Sequence, residues 1–224
     1  MVDELSEKGV SSLDPRVVLR GVGWSGDAAV QFTGLGSMIT FLPVGAFRAL
    51  FRPLPGPRGI MVIYPHTSNW DFPIGLLSKW ALNLPLRFLA KDSLFKSPLG
   101  PWFRAMGGEP VERGAPSGTI KTQAARMNAA DFYWVGITPE GTRAYRPNWK
   151  SGFYHLALEA KVPLVLVYFD YPNKTLGMVD HLMLSGDQEA DMDAIRAAFE
   201  GHQGLYPNKA APIVLSERRA ETRE

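Results

Sequence analysis

A histidine and an aspartate stand five positions apart in the segment YPHTSNWD, at His66 and Asp71. An imidazole that gives one ring nitrogen to a carboxylate keeps the other as a base, as in the catalytic triads. On an ideal helix five residues turn through about 140°, so the two side chains would not face each other there. A turn, with Ser68 or Asn69 capping the helix that follows, would fold Asp71 back toward the imidazole. The plainer reading is a structural histidine satisfied by a neighbouring acid. A metal site is a third reading, but no further histidine or carboxylate cluster stands nearby to complete it.

A second group lies in ITPEGTR. Gly141 lets the backbone turn tightly and approach a ligand. Glu140, Thr142 and Arg143 offer an acceptor, a hydroxyl and a planar guanidinium fork suited to a phosphate monoester. The plainer reading is a polar turn whose glutamate and arginine pair at the surface. His155, His181 and His202 complete the four histidines. They read as a helix-face residue, an edge-strand residue and a helix-end cation.

Each group begins where a short apolar run ends. Ile60–Tyr64 and Phe132–Thr138 read as buried strands, and ligands in α/β sheets sit beyond the carboxyl ends of strands. Further strands are expected at Leu86–Ala90, Glu109–Glu112, Pro163–Phe169 and Thr175–Leu184. Helices are expected at Asp71–Leu82, Pro98–Met106, Ser117–Ala129 and Asn148–Ala160, and over a segment capped by Asp187 and ending near Gly201. This alternation predicts an α/β fold. Its central sheet is mixed and mostly parallel, is flanked by helices on both faces, and follows a short N-terminal helical arm. The division expected is an arm over 1–57 and one domain over 58–224. Within the arm, SMITFLPVGAFRALF (37–51) reads as a helix, either packed on the core or dipping into a membrane surface.

Composition excludes several classes. The chain has 24 basic and 22 acidic residues, a balance with no nucleic-acid footprint. It has no cysteine, so disulfides, thiolate nucleophiles and cysteine-based zinc sites are out. The opening residues lack the apolar stretch of a signal peptide, and no run of about 18 apolar residues reads as a membrane span.

HTSNWD and TPEGTR in this order resemble the first and third motifs of the glycerolipid acyltransferase family, which includes the 1-acylglycerol-3-phosphate acyltransferases. GGEPVER, with Gly108 and Arg113, is similar to the second motif, and VPLVLVY, with Pro163, to the fourth. Lys150, Ser151 and Gly152, and Lys91 in AKDSLFKSPLG, also look like the family. The resemblance covers residues 58–172, and HTSNWD is similar to small bacterial members without transmembrane helices.

The resemblance implies that His66 deprotonates an acceptor hydroxyl while Asp71 fixes the imidazole. Amides at the following helix start would stabilise the oxyanion. Lys91, Arg113 and Arg143 would hold the acceptor's phosphate, with Glu140 bonding an acceptor hydroxyl or orienting Arg143, and Gly141 and Thr142 shaping the loop. The donor implied is acyl-CoA or acyl carrier protein, and the acceptor a lysophospholipid, most similar to 1-acylglycerol-3-phosphate. No metal or resident cofactor is implied. Thr138 and Ala144 depart from the usual third motif and keep other acceptors open: an amino-acid lipid, a glycolipid or another alcohol. A non-catalytic lipid-binding relative is the remaining alternative. Trp102, Phe103 and Met106 are candidates for an acyl tunnel or a lipid-facing surface. Attachment to the inner face of the cell membrane is expected through Met38–Phe51 and Leu94–Met106.

Overall fold

Unbroken apolar runs form the middle of the sheet, because a strand covered by helices on both faces needs no polar side. A computed structural model describes residues 30–32, 38–41, 47–111 and 118–216. The first half contains β1 (Val30–Phe32), β2 (Met38–Phe41), β3 (Arg48–Phe51), β4 (Arg58–Tyr64), α1 (Asp71–Ala81), β5 (Leu86–Lys91), α2 (Asp92–Phe95), α3 (Gly100–Ala105) and β6 (Gly108–Val111). The second half contains α4 (Gly118–Ala129), β7 (Tyr133–Ile137), α5 (Gly152–Ala160), β8 (Leu164–Asp170), β9 (Thr175–Leu182) and α6 (Gln188–Ala198).

The described strands form one nine-stranded sheet in the order β1-β2-β3-β9-β8-β4-β7-β5-β6. The run from β8 to β6 is parallel throughout. β9 is antiparallel to β8, and β3 is parallel to β9. This is the expected α/β architecture.

Side chains alternate across the strands, so each strand feeds two cores. Ile60 and Val62 of β4, with Leu164 and Leu166 of β8, pack on one face with Met127 of α4, Phe153 and Leu156 of α5 and Ile195 of α6. Met61, Val165 and Val167 point to the other face, where they meet Ile74 of α1 and Phe169. Asp187 caps α6 as expected, accepting from the amides of Glu189 and Ala190.

One expectation is overturned. The described part of 37–51 is strand rather than helix: β2 and β3 pair antiparallel, with Met38 opposite Phe51 and Phe41 opposite Arg48. Pro43 lies between them and cannot supply the amide that a continuous helix needs. The pattern around β3 has period two, with Phe47, Ala49 and Phe51 buried and Arg48 exposed. β3 also pairs with the outer edge of β9, which would otherwise stand open. Of the expected arm over 1–57, residues 1–29, 33–37 and 42–46 lie outside the described residues.

A smaller difference bears on the site. Asn148–Lys150 are not helical, and α5 starts at Gly152. The Trp149 amide donates to Val214 O at 2.7 Å, and its carbonyl accepts from Ser216 N at 2.7 Å. Lys150 N donates to Pro139 O at 2.9 Å. These backbone groups are taken by the C-terminal segment and by the loop after β7, so no helical turn forms there.

Candidate active site

Parallel register places the chemistry. β7, β4 and β8 are neighbours, with Val62 opposite Ile137 and Tyr64 opposite Tyr168. Their carboxyl ends therefore lie side by side. The end of β4 delivers His66, the end of β7 delivers Thr138–Arg143, and the end of β8 delivers Tyr171. β5, next to β7, ends on Lys91.

His66 Nδ1 lies 3.0 Å from Asp71 Oδ2. The approach is close in distance but lacks the alignment of a full hydrogen bond. Catalytic contacts of this kind often tighten only around a bound substrate. The loop folds as the spacing requires, by a different device from the one expected. Trp70, with helical backbone angles, occupies the cap position and makes no side-chain cap. Ser68 Oγ instead accepts from Trp70 N at 3.1 Å.

Asp71 is buried and accepts two hydrogen bonds. Oδ2 accepts from Ser68 N at 2.9 Å and faces the imidazole, while Oδ1 accepts from the Tyr171 hydroxyl at 2.5 Å. Burial, with the Asp71 carboxylate beside it, raises the Tyr171 pKa and keeps the phenol a donor. The amides of Ser68, Trp70 and Asp71 thus already have acceptors inside the loop. They are not free to serve as the oxyanion donors expected at this helix start.

Glu140 takes a role that the sequence reading does not foresee. It is almost fully buried, at 2% exposure. Oε2 accepts from His66 N at 2.6 Å and Oε1 from Ala211 N at 2.9 Å. It therefore ties the catalytic loop to the C-terminal segment, and neither its oxygens nor its charge is turned on Arg143. Burial pushes its pKa up to about 7, against the pull of the two amides, and the nearby Asp71 charge adds to the rise.

Gly141 is constrained twice. Its φ is +64°, and a Cβ there would sit 2.8 Å from Lys150 Nζ and Cε. The lysine stem lies across the glycine, so Lys150 joins the loop it was grouped with only by motif.

These residues open onto a cavity of about 700 Å³. His66, Asp71, Lys91, Glu140, Gly141, Thr142, Arg143, Arg146 and Lys150 line its polar end. Met61, Ile63, Leu84, Leu86, Val167 and Phe169 line the rest, between α1 and the sheet. Arg113 lies outside the described residues. Of the candidate tunnel residues, Phe103 lines the cavity, Met106 is buried and Trp102 is half-exposed. His155, His181 and His202 line neither this cavity nor its rim. Tyr171, Lys150 and Arg146 are the residues that motif reading leaves without a role. Only Lys150 had a sequence signal, its place in WKSGF.

A model of the family described as Acyltransferase matches residues 52–170, about half of the chain, and so covers His66, Asp71 and the Glu140–Arg143 loop. No curated protein matches the chain.

Glu140 generates a pH prediction. The folded protein holds this proton up to about pH 7, whereas the unfolded carboxyl releases it near 4.5. Between these values the folded state binds more protons, so the site's contribution to stability falls as pH rises and levels off above about 7. Glu140→Gln removes that slope and is also less stable by about 1–3 kcal/mol, because one buried amide loses its acceptor. Urea unfolding of both proteins across this pH range measures the slope and the loss.

Proposed function

Because this chain belongs to the acyltransferase family, an assignment that carries acyl transfer itself, we propose that it moves a fatty acyl group from acyl-CoA or acyl carrier protein to the hydroxyl of a lysophospholipid. The acceptor we propose is 1-acylglycerol-3-phosphate. The observation that supports this most is the His66–Asp71 pair on the wall of a cavity that also has a large apolar lining.

The chemistry runs as follows. His66 takes the proton of the acceptor hydroxyl, and the oxygen attacks the thioester carbonyl. Asp71 stabilises the imidazolium that forms. The tetrahedral intermediate collapses, the C–S bond breaks, and the imidazolium returns its proton to the departing thiolate. The products are an ester and a free thiol. No acyl-enzyme is needed, and Ser68, whose hydroxyl already accepts from Trp70 N, is not a nucleophile.

The acyl chain occupies the apolar part of the cavity, where each buried CH₂ contributes about 0.8 kcal/mol. Lys91, Arg143, Arg146 and Lys150 at the rim suit an anionic acceptor. A lipid acceptor stays in its bilayer, so the enzyme must come to it. Leu99 and Trp102 are 59% and 51% exposed, and Leu94, also exposed, lines the cavity mouth. We assign peripheral attachment at the cytoplasmic face of the membrane to this α2–α3 segment. β3 cannot share that role with Phe51, which is buried in the sheet. No described helix is long and apolar enough to cross a membrane.

Three measurements test this reading. With acyl-CoA and a panel of lysolipids, the wild type forms a diacyl product and His66→Ala loses about 10²–10⁴ in rate. Equal turnover by both proteins contradicts the mechanism, and thioester loss without lipid product marks a hydrolase. Gly75, in α1, lines the cavity, and a Cβ there would meet nothing within 4 Å. Gly75→Leu fills that space and shifts preference toward shorter acyl donors in a chain-length series. In flotation with anionic vesicles the wild type rises with the lipid, and Leu99→Asp with Trp102→Ala reduces the floated fraction. A wild type that stays with the soluble fraction rules out the attachment.

A further inference from the structure

A second pocket lies across the His66 loop from the first. It has a volume of about 540 Å³ and shares Asn69, Thr142 and Arg143 with the apolar cavity. Its wall carries two exposed aromatic rings, Trp70 at 58% and Tyr206 at 45% exposure. Arg143 and Lys209 supply its cations, and no acidic side chain is among the described residues lining it. Lys209 Nζ stands 4.2 Å above the Tyr206 ring.

Tyr206 and Lys209 of this wall come from 203–211, a strap outside the span that the family model matches. The strap is fastened to the catalytic loops at several points. Tyr206 N donates to Thr67 Oγ1 at 3.2 Å, Ala211 N to Glu140 Oε1 at 2.9 Å and Tyr171 N to Gln203 O at 2.9 Å. The Tyr64 hydroxyl donates to Ala211 O at 3.0 Å. Gly204 is buried so closely that a Cβ would sit 2.5 Å from Thr67 Oγ1. These bonds anchor the segment that carries Tyr206 and Lys209, which line the pocket together with Trp70.

We propose that this pocket binds the nucleotide end of a CoA thioester. The inference rests on the acyl-transfer reading above and deepens it by choosing the donor. Flat rings suit an adenine face, and base–aromatic stacking is strong without reading sequence. The two cations suit its phosphates. The shared wall lets one extended donor span both pockets, with its fatty chain in the apolar cavity, its carbonyl near His66 and its phosphates beside Arg143 and Lys209. A carrier-protein donor has no adenine to stack on these rings.

The phosphate could instead belong to the acceptor headgroup, and the test separates the two sources. Adenosine 3′,5′-bisphosphate and glycerol 3-phosphate are each titrated calorimetrically into wild type, Trp70→Leu and Lys209→Gln. Both substitutions are at exposed positions, and thermal melts verify that the variants fold. The bisphosphate is expected to bind wild type, with affinity about ten-fold weaker in each variant, in keeping with the loss of one stacked ring or one charge contact. In turnover, the variants raise KM for acyl-CoA by a similar factor, and the increase shrinks with an acyl N-acetylcysteamine thioester, which lacks the nucleotide. The inference is overturned if the bisphosphate fails to bind wild type. It is equally overturned if the substitutions weaken glycerol 3-phosphate instead, or if only acyl carrier protein serves as donor. A wild type that binds the bisphosphate but transfers no acyl group leaves the subsite standing and removes the transferase reading.

Discussion

The carboxylate of Asp71 is the constraint on which the site depends. It is buried, and its oxygens face an imidazole and a backbone amide from its own loop and a phenol from a distant stretch of chain. A buried carboxylate with fewer donors would be costly to keep ionised. Here the Ser68 amide and the Tyr171 hydroxyl meet that need, and the imidazole is left at the edge of the cavity. The His66–Asp71 pair is therefore a product of sheet topology. It requires the ends of β4 and β8 to be adjacent, because His66 and Asp71 follow one strand and Tyr171 follows the other.

Glu140 makes a second, complementary constraint from the far side. Its carboxylate fixes the backbone of His66, whereas Asp71 fixes the side chain. The same residue accepts from Ala211 N, so it ties the C-terminal strap to the His66 loop. In this light the glutamate of EGTR is part of the scaffold that aims the base, and Arg143 is the residue of that motif that reaches the ligand space. Lys150, laid over Gly141, adds a cation beside it, and the glycine's φ of +64° is a conformation that side chains rarely adopt.

The sequence made the parallel half of the sheet legible because buried strands leave a strong signature. IMVIY and PLVLVYF are short, apolar and bounded by proline or polar residues, and both are strands at nearly the expected bounds. The site's two loops were legible for the same reason, since each follows such a run. β2 and β3 were not. Their apolar residues are dense enough to fit a helical or an extended pattern, and only pairing with β9 decides between them. Tyr171, Tyr206 and Lys209 were invisible for a different reason. Their roles come from contacts across the whole domain, as in the Tyr171–Asp71 bond, and no local spacing encodes these.

The most direct test of the central claim reads the imidazole itself. Nitrogen-15 NMR of the His66 ring at neutral pH distinguishes which nitrogen carries the proton. The account predicts the tautomer with its proton on Nδ1, facing Asp71, and a loss of that preference in Asp71→Asn. A ring protonated at Nε2 in the wild type, or one indifferent to the Asp71 substitution, would contradict it.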